Sequence, residues 1–173
     1  IVGLSVLGYL LLRVCLVEIT DDEAWSYYNA KVFWYVESLC TGNTHWFNFA
    51  AVKTSIFLGL ENVWSLRWFS TLSGIAFLSI AYLWLKSFRN LATKLLVFFL
   101  IFLNAYLLEY LGLMRGYSSA LAFMAFSLVF LFKAIKNEEK KKYWTYSLFF
   151  AGASAIANFN FFYYFIAFCV VYF

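Results

Sequence analysis

Charged residues are scarce in this 173-residue chain: Asp, Glu, Lys and Arg make up 13%, whereas 65% of the residues are hydrophobic. Soluble domains carry about 25% charged and roughly 45–50% apolar residues, and a chain of this length cannot bury so many apolar side chains in its own core. The scarcity of charge therefore excludes soluble globular, disordered and collagen-like chains. The net charge of +4 is spread among apolar runs, which excludes a basic nucleic-acid-binding face. We expect this chain to lie in a lipid bilayer.

Proline is absent altogether, and cysteine is rare: Cys15, Cys40 and Cys169 are the three in the chain. Three widely spaced cysteines without a C-x-x-C pattern predict neither a disulfide framework nor a zinc site. An initiator methionine is also lacking, and both ends of the chain fall inside apolar runs. We therefore expect residues 1–173 to be the N-terminal part of a larger multi-pass protein.

Long apolar runs follow one another along the chain, and they predict an all-α, polytopic membrane helical bundle. A spanning helix needs about 20 apolar residues. The predicted spans are residues 1–17, 64–85, 95–111, 116–132 and 143–158, with 161–173 either a sixth helix or an extension of the fifth.

Basic and acidic residues are sorted between the loops of this predicted bundle. Of the 13 basic residues, eight fall in the two loops after the second and fourth spans: Lys86, Arg89, Lys94, Lys133, Lys136, Lys140, Lys141 and Lys142. Of the nine acidic residues, seven fall on the opposite side: Glu18, Asp21, Asp22, Glu23, Glu37, Glu61 and Glu109. The positive-inside rule therefore makes the first set cytoplasmic. We predict a plasma-membrane protein, of the bacterial inner-membrane type, with its acidic surface outside.

The predicted first outer loop, residues 18–63, is too long for a turn, too polar to span and rich in aromatic residues. Apolar and aromatic residues recur at helical spacing, which predicts an amphipathic helix in the outer membrane interface. They are Trp25, Tyr28, Val32, Tyr35 or Val36, and Leu39. A second interfacial helix is predicted over residues 46–60. These helices would hold the acidic residues of the loop at the level of the outer leaflet.

Three consecutive carboxylates, Asp21, Asp22 and Glu23, follow the first span directly. Thr20 and Glu23 fit the S/T-x-x-E capping box, and acidic residues in a first turn complement the helix dipole. At the membrane edge, a carboxylate can also act as general base on a hydroxyl acceptor. The spacing alone leaves capping and catalysis equally open.

Three basic residues on the predicted outer side are candidates for binding an anion. His45 stands alone, and a lone histidine is more often structural than catalytic. Arg67 lies inside the outer end of the second predicted span, where it either snorkels or meets an anion. Arg115 and Glu109 flank the short turn between spans three and four. They form either an ion pair that closes the helical hairpin or part of a phosphate site.

Four segments occur in the order found in membrane glycosyltransferases of the GT-C type, and the chain resembles the protein O-mannosyltransferase and aminoarabinose-transferase group most closely. The segments are Asp22-Glu23-Ala24, Asn43-Thr44-His45-Trp46-Phe47, residues 61–70 and Arg115-Gly116-Tyr117. They are similar to the family's Asp-Glu motif, its basic residue followed by prolines, its Leu-Arg-x-Pro-Ser stretch and its Arg-x-Tyr. Trp46 and Phe69 stand where the family has the motif prolines.

The resemblance implies a GT-C-like fold and an inverting transfer of a sugar from a polyprenyl-phosphate donor to a hydroxyl of a lipid, glycan or protein. Asp22 would be the general base, and Glu23 would orient it or the acceptor. The substrate-binding residues would be Asp21, His45, Arg67, Arg115 and Tyr117. Cations among them would stabilise the departing phosphate. No cofactor is otherwise implied, although Asp21, Asp22 and His45 leave a divalent metal ion open. Residues 1–173 alone are expected to be inactive.

Two other classes of membrane protein remain open. A multi-pass transporter or flippase would use the acidic outer loop as a structural or gating element. Transporters usually contain internal repeats and helices broken by Gly or Pro, and the sequence shows neither a repeat nor a proline. A structural membrane subunit would need the acidic segment after the first span only as a helix cap.

Overall fold

The computed structural model of this chain describes residues 2–32, 45–136 and 141–172. Every regular element in these ranges is helical, which confirms the predicted all-α class for the described residues. The helices are α1 (Val2–Leu16), α2 (Asp21–Val32), α3 (Trp46–Phe57), α4 (Val63–Leu66), α5 (Trp68–Ser87), α6 (Leu91–Phe102), α7 (Ala105–Gly112), α8 (Tyr117–Lys136), α9 (Lys141–Ala157) and α10 (Phe162–Tyr172). A 3₁₀ turn, Phe159–Phe161, separates α9 from α10, so the last predicted run is a helix of its own.

Two of these helices, α5 and α8, are long and apolar enough to cross a membrane. Each has 20 residues. At about 1.5 Å per residue this corresponds to roughly 30 Å, the thickness of the hydrocarbon core. Helices α6 and α7 are long and apolar enough to cross a membrane only when they are taken together as one span, and there is a bend of 46° between them. The described residues thus contain two candidate spans, or three if the bent pair counts as one. The larger bundle stays a prediction.

Two of the predicted spans are interrupted. The helix predicted over 64–85 breaks at Arg67, which separates α4 from α5. The helix predicted over 95–111 breaks where Asn104 caps α7, because Leu107 N donates to Asn104 Oδ1 (3.2 Å). The predictions of one continuous helix in each stretch are therefore wrong. Neither break contains proline or glycine, the residues that would have signalled it.

The predicted first outer loop contains α2 and α3. Helix α3 begins where the second interfacial helix is predicted to begin. The end of the first predicted interfacial helix, with Leu39, falls in residues 33–44, outside the described ranges. No other described residue covers the apolar stripe of α2, since Trp25 is 64% and Tyr28 is 52% exposed. This surface is available to lipid headgroups, and the interfacial location stays a prediction.

Hydrogen bonds between small residues join α8 to α9. Ser127 Oγ donates to Ser147 O (2.9 Å), and Ser147 Oγ donates back to Ser127 O (2.7 Å). Farther along the same interface, Ser154 Oγ donates to Ala120 O (2.8 Å). Small side chains allow two helix backbones to approach closely, and such bonds satisfy polar groups that meet no water in a membrane. The interface therefore fixes the position of α9 beside the start of α8.

Gly74 likewise allows the backbones of α5 and α7 to approach each other closely. A Cβ atom added at Gly74 would lie 3.1 Å from Leu111 O, so a larger residue would push the two helices apart. Ser70, one turn earlier in α5, faces α3, where Asn48 Nδ2 donates to its Oγ (2.9 Å).

The helix order gathers the chemically interesting residues at one end of the molecule. The C-terminal ends of α1, α7 and α9 and the N-terminal ends of α2, α5 and α8 lie there, and we call it the site end. The carboxylates of α2 are located at this end. The basic residues Lys86, Lys136 and Lys141 lie at the opposite ends of α5, α8 and α9. These lysines are thus separated along the helix axes from the carboxylates of α2, whereas Arg13, Arg67 and Arg115 lie among the acidic residues of the site end.

Candidate functional site

Glu23 and Arg67 form a buried ion pair at the centre of the site end. Their side chains are 0% and 2% exposed. Arg67 Nε donates to Glu23 Oε1 (2.8 Å) and Nη2 donates to Oε2 (2.5 Å), a bidentate arrangement that gives both strength and a fixed orientation. Met114 N, from the turn before α8, donates to Glu23 Oε1 as well (2.6 Å). The pair thus links α2, α5 and the α7–α8 turn.

Every N–H donor of Arg67 is engaged. Besides the two bonds to Glu23, Arg67 donates to Val14 O (3.2 Å), Val17 O (2.8 Å) and Glu18 O (3.0 Å). These carbonyls end α1 and carry the negative pole of its dipole. The interpretation that Arg67 snorkels is therefore wrong. No donor remains for a lipid phosphate, so Arg67 holds segments of the site in place and does not bind substrate in this arrangement.

Thr20 and Glu23 form the predicted capping box. Thr20 N donates to Glu23 Oε2 (3.0 Å), and Glu23 N donates to Thr20 Oγ1 (3.4 Å). Burial raises the pKa of Glu23, but hydrogen bonds from Arg67, Met114 N and Thr20 N, with the Arg67 charge, together lower that pKa below its ordinary value of 4.5. Glu23 is therefore ionised at neutral pH and saturated with donors. Because both oxygens of Glu23 are bonded inside the protein, this geometry suits the predicted role of orienting Asp22 better than that of orienting the acceptor.

Asp22 and Arg115 form a second ion pair beside the buried one, and this pair faces outward. Arg115 Nη1 donates to Asp22 Oδ2 (2.7 Å), and the side chains are 18% and 65% exposed. Consecutive residues of a helix point to different faces. Asp22 therefore lies in water or at the membrane surface, while its neighbour Glu23 is buried. Asp22 is the accessible, partnered carboxylate of the site.

His45 lies at the start of α3 and contacts the end of α9, its Nδ1 being 3.3 Å from Ala157 O. Burial lowers the pKa of His45, and the Arg115 charge lowers it further, against the opposing effects of the Ala157 bond and of Asp22. The ring is therefore neutral at pH 7, and Nδ1 carries the proton because a carbonyl oxygen only accepts. Nε2 is left as a buried acceptor without a partner among the described residues. The prediction that His45 supplies a cation is not supported.

Gly116 allows α3, α8 and α9 to meet at this point. A Cβ atom added there would lie 1.9 Å from Ala157 O and 2.7 Å from His45 Nδ1. Both distances are too short for any side chain. The φ angle of Gly116 is not positive, so glycine is required here by close approach and not by backbone conformation.

The rings of Tyr117, Tyr110 and His45 lie on one side of the exposed ion pair. The Tyr117 ring lies 5.7 Å from the His45 ring and 4.8 Å from the Tyr110 ring, and the Arg115 guanidinium lies 5.7 Å from its centroid. Tyr117 is also the first residue of α8, whose first-turn amides have no acceptors within the helix and carry its positive pole. Arg115 and Tyr117 thus lie next to Asp22, whereas Ser118 and Ser119 of the first turn of α8 are fully buried.

The predicted pair between Glu109 and Arg115 is wrong. Glu109 Oε1 accepts a hydrogen bond from Arg13 Nη2 of α1 (2.5 Å), whereas Arg115 pairs with Asp22. Each charge therefore bonds to a helix distant in sequence, so the α7–α8 turn is tied to α1 and α2 and is not closed on itself.

Asp21 is exposed in the first turn of α2, and its carboxylate has no hydrogen-bond partner among the described residues. Within these residues, no three His, Cys, Asp or Glu side chains lie close enough together to hold a metal ion. The arrangement of Asp21, Asp22 and His45 thus gives no support to the metal site that the sequence leaves open.

The sequence analysis identifies the charged residues of the site but misses the backbone groups that complete it. Met114 N and Ala157 O are bonded to Glu23 and His45, and no side-chain motif reveals a backbone donor or acceptor. Gly116 had a usable signal, since it is a glycine at the start of a predicted span and glycine permits a close backbone approach.

No protein-family model, curated protein or solved structure matches this chain. The resemblance to GT-C glycosyltransferases therefore stays a prediction from the four sequence segments.

Proposed function

We propose that this chain forms part of a membrane glycosyltransferase that moves a sugar from a polyprenyl-phosphate donor to an acceptor hydroxyl at the extracytoplasmic surface. The observation that carries the proposal is the exposed Asp22 carboxylate bonded to Arg115 (2.7 Å). An accessible carboxylate thus lies beside a cation at the end of two helices that are long enough to span a membrane.

In this transfer, Asp22 and Arg115 have separate roles. Asp22 accepts the proton of the acceptor hydroxyl as its oxygen forms a bond to the anomeric carbon of the sugar. The bond from that carbon to the phosphate oxygen breaks, and the phosphate leaves with the electron pair. Arg115 stabilises the negative charge that develops on this oxygen. Attack from the face opposite the phosphate inverts the anomeric centre.

Three features of the site support this assignment. The buried pair of Glu23 and Arg67 fixes the first turn of α2, and this positions Asp22 without occupying its carboxylate. The phosphate role falls to Arg115, since its Nη1–Asp22 bond is the only side-chain hydrogen bond of its guanidinium with the described residues. Tyr117 provides a ring surface of the kind on which sugars and cations pack.

Asp22→Asn in the full-length protein tests the proposal. Loss of the general base should lower the rate of sugar transfer by about 10²- to 10⁴-fold, while insertion and accumulation stay normal. The assay measures product from a polyprenyl-phosphate sugar in proteoliposomes. Glu18→Gln is the matched control, because it removes an exposed carboxylate at the same end and keeps the backbone carbonyl that holds Arg67. Full activity of Asp22→Asn would refute the catalytic assignment.

A transporter or flippase is the second candidate, and the 46° bend between α6 and α7 favours it. A broken span is a feature of many transporters. The charged residues of the site nevertheless cluster at one end and do not line a path along the helices. A transporter would move its substrate without forming a glycosylated product, so product formation by the wild-type protein decides between the two.

A further inference from the structure

An apolar groove lies between α1, α5 and α6, in the part of these helices that is farther from the site end. Val6, Leu78 and Phe102 form its buried floor, whereas Leu4 and Tyr82 on its rim are 75% and 46% exposed. We call this space the lateral groove. Its volume is about 480 Å³, which lies within the range of roughly 300–1,000 Å³ that small-molecule sites have. The lateral groove is therefore large enough for a ligand and open at the surface of the molecule.

The lining of the lateral groove suits a hydrocarbon chain better than water. The rings of Phe98 and Phe102 stack with their centroids 5.6 Å apart and form a flat wall on the α6 side. Ser79 is a polar residue of the lining, but its Oγ donates to Ile75 O (2.7 Å) within α5. A cavity lined by apolar groups stays dry, because water would lose hydrogen bonds inside it. In a membrane, the chain of a lipid is the apolar group that reaches such a surface.

Basic residues lie where α5 ends and α6 begins, beside the lateral groove. The stretch from Lys86 to Lys94 contains a third basic residue, Arg89, and no acidic residue. Lys86 Nζ lies 4.6 Å from the centroid of the Tyr82 ring on the groove rim, and Lys94 lies one turn before Phe98 on the same face of α6. None of the ion pairs between described residues includes these three cations. They can therefore attract an anion to this end of the groove.

We propose that the lateral groove binds an anionic phospholipid, with an acyl chain between the helices and the phosphate beside Lys86 and Lys94. Basic pockets between membrane helices bind anionic headgroups in this way. An apolar helix of a partner protein would fill the groove but leave the cations without a counter-charge, so charge complementarity favours the phospholipid. The lateral groove lies away from Asp22 and Arg115, and this binding is separate from that of the proposed sugar donor.

The first experiment changes the charges beside the groove. Native mass spectrometry of the full-length protein in detergent gives the affinity for the first bound phosphatidylglycerol or phosphatidylcholine molecule. The wild type should prefer phosphatidylglycerol, because phosphatidylcholine has no net charge. Lys86→Gln and Lys94→Gln should each weaken the binding of phosphatidylglycerol about fivefold, the fold-change expected for one basic residue at a membrane surface. Lys136→Gln is the matched control: it removes a cation at the same end of α8, and no described residue of α8 lines the groove.

The second experiment fills the groove and keeps its cations. Ser79 is exposed on the lining, so Ser79→Trp places a large ring in the groove without replacing a buried residue. The affinity for phosphatidylglycerol should fall more than about tenfold, because the acyl chain loses its apolar contacts. Leu83→Trp is the matched control, since it adds the same ring to a 63% exposed position of α5 that does not line the groove.

Four results would overturn the proposal. Equal affinities of the wild type for the two lipids would exclude headgroup recognition, and an equal effect of Lys136→Gln would mean general attraction to the basic end. Wild-type affinity in Ser79→Trp would mean that the phosphate binds without the groove. No binding of phosphatidylglycerol to the wild type would leave the groove to a helix of a partner protein. Thermal unfolding of each variant checks the fold, and Lys86→Gln, which changes an exposed side chain, keeps the test decisive if Ser79→Trp unfolds.

Discussion

Adjacent residues of α2 have opposite environments, and this difference assigns their roles. Glu23 is fully buried and accepts bonds from Arg67, Met114 N and Thr20. Asp22 is mostly exposed and has one partner, Arg115. A carboxylate that must take a proton needs access to substrate, and one that must fix a helix needs saturated bonds. The buried residue is therefore a positioning residue, and the exposed one is the candidate base.

The Glu23–Arg67 pair should dominate stability at the site end. Removing one partner of a buried ion pair leaves the other charged and unpaired, which costs about 3–5 kcal/mol. We expect Glu23→Gln to lower the midpoint of thermal unfolding in detergent by several degrees. Glu109→Gln is the matched control: its pair with Arg13 is partly exposed, so its loss should cost no more than about 1 kcal/mol. Equal effects of the two variants would contradict this prediction.

The same pair predicts how acid destabilises the protein. The pKa of Glu23 is lower in the folded protein than its ordinary value of 4.5, although burial opposes the hydrogen bonds that lower it. A carboxylate whose pKa is lower in the folded state than in the unfolded state stabilises the fold. This stabilisation is complete at pH values above the pKa of the unfolded state, and it is lost as the pH falls through the pKa of the folded state. The unfolding midpoint of the wild type should therefore fall more steeply below pH 4.5 than that of Glu23→Gln. Parallel curves from pH 6 to pH 3 would contradict the assignment.

At the scale of elements, the junction of α3, α8 and α9 depends on the absence of a side chain at Gly116. Gly116→Ala would place a Cβ atom 1.9 Å from Ala157 O, and the helices would have to separate. Overpacking of this kind costs about 1–3 kcal/mol, and the displaced His45 should lower transfer activity too. Gly8→Ala in α1 is the control, since no atom lies within 4 Å of its added Cβ and alanine favours a helix by up to about 1 kcal/mol. Thermal unfolding of both variants checks the contrast, and equal midpoints would refute it.

The elements show which parts of the structure a sequence can predict. The capping box of Thr20 and Glu23 is local, so its three-residue spacing predicts it correctly. The bonds of Arg67 reach back 44 residues to Glu23, and no local pattern contains that contact. The pairing of Glu109 fails for the same reason, because Arg13 becomes its neighbour only once α1 packs on α7. The break before α7 lacks proline and glycine, so hydropathy runs through it without interruption.

At the scale of the whole molecule, the sorting of charge and the location of the site have one physical origin. Lipid excludes charge from the middle of a span, so ionisable residues collect at helix ends. The helix order then brings the ends of α1, α7 and α9 together with the starts of α2, α5 and α8, which concentrates acidic side chains and the arginines that neutralise them. A cluster of charged side chains at one end of the molecule thus requires little charge overall.

The two ends of α5 should face opposite sides of the membrane. Asn62 lies before α4 and α5 at the site end, and Arg89 follows α5 at the basic end; both are exposed. We expect a membrane-impermeant maleimide to label Asn62→Cys on intact cells, and Arg89→Cys only after permeabilisation, because basic loops stay in the cytoplasm. Both variants carry serine in place of the native Cys15, Cys40 and Cys169. The reverse pattern would contradict the orientation, and labelling of both positions from outside would show that α5 does not span the membrane.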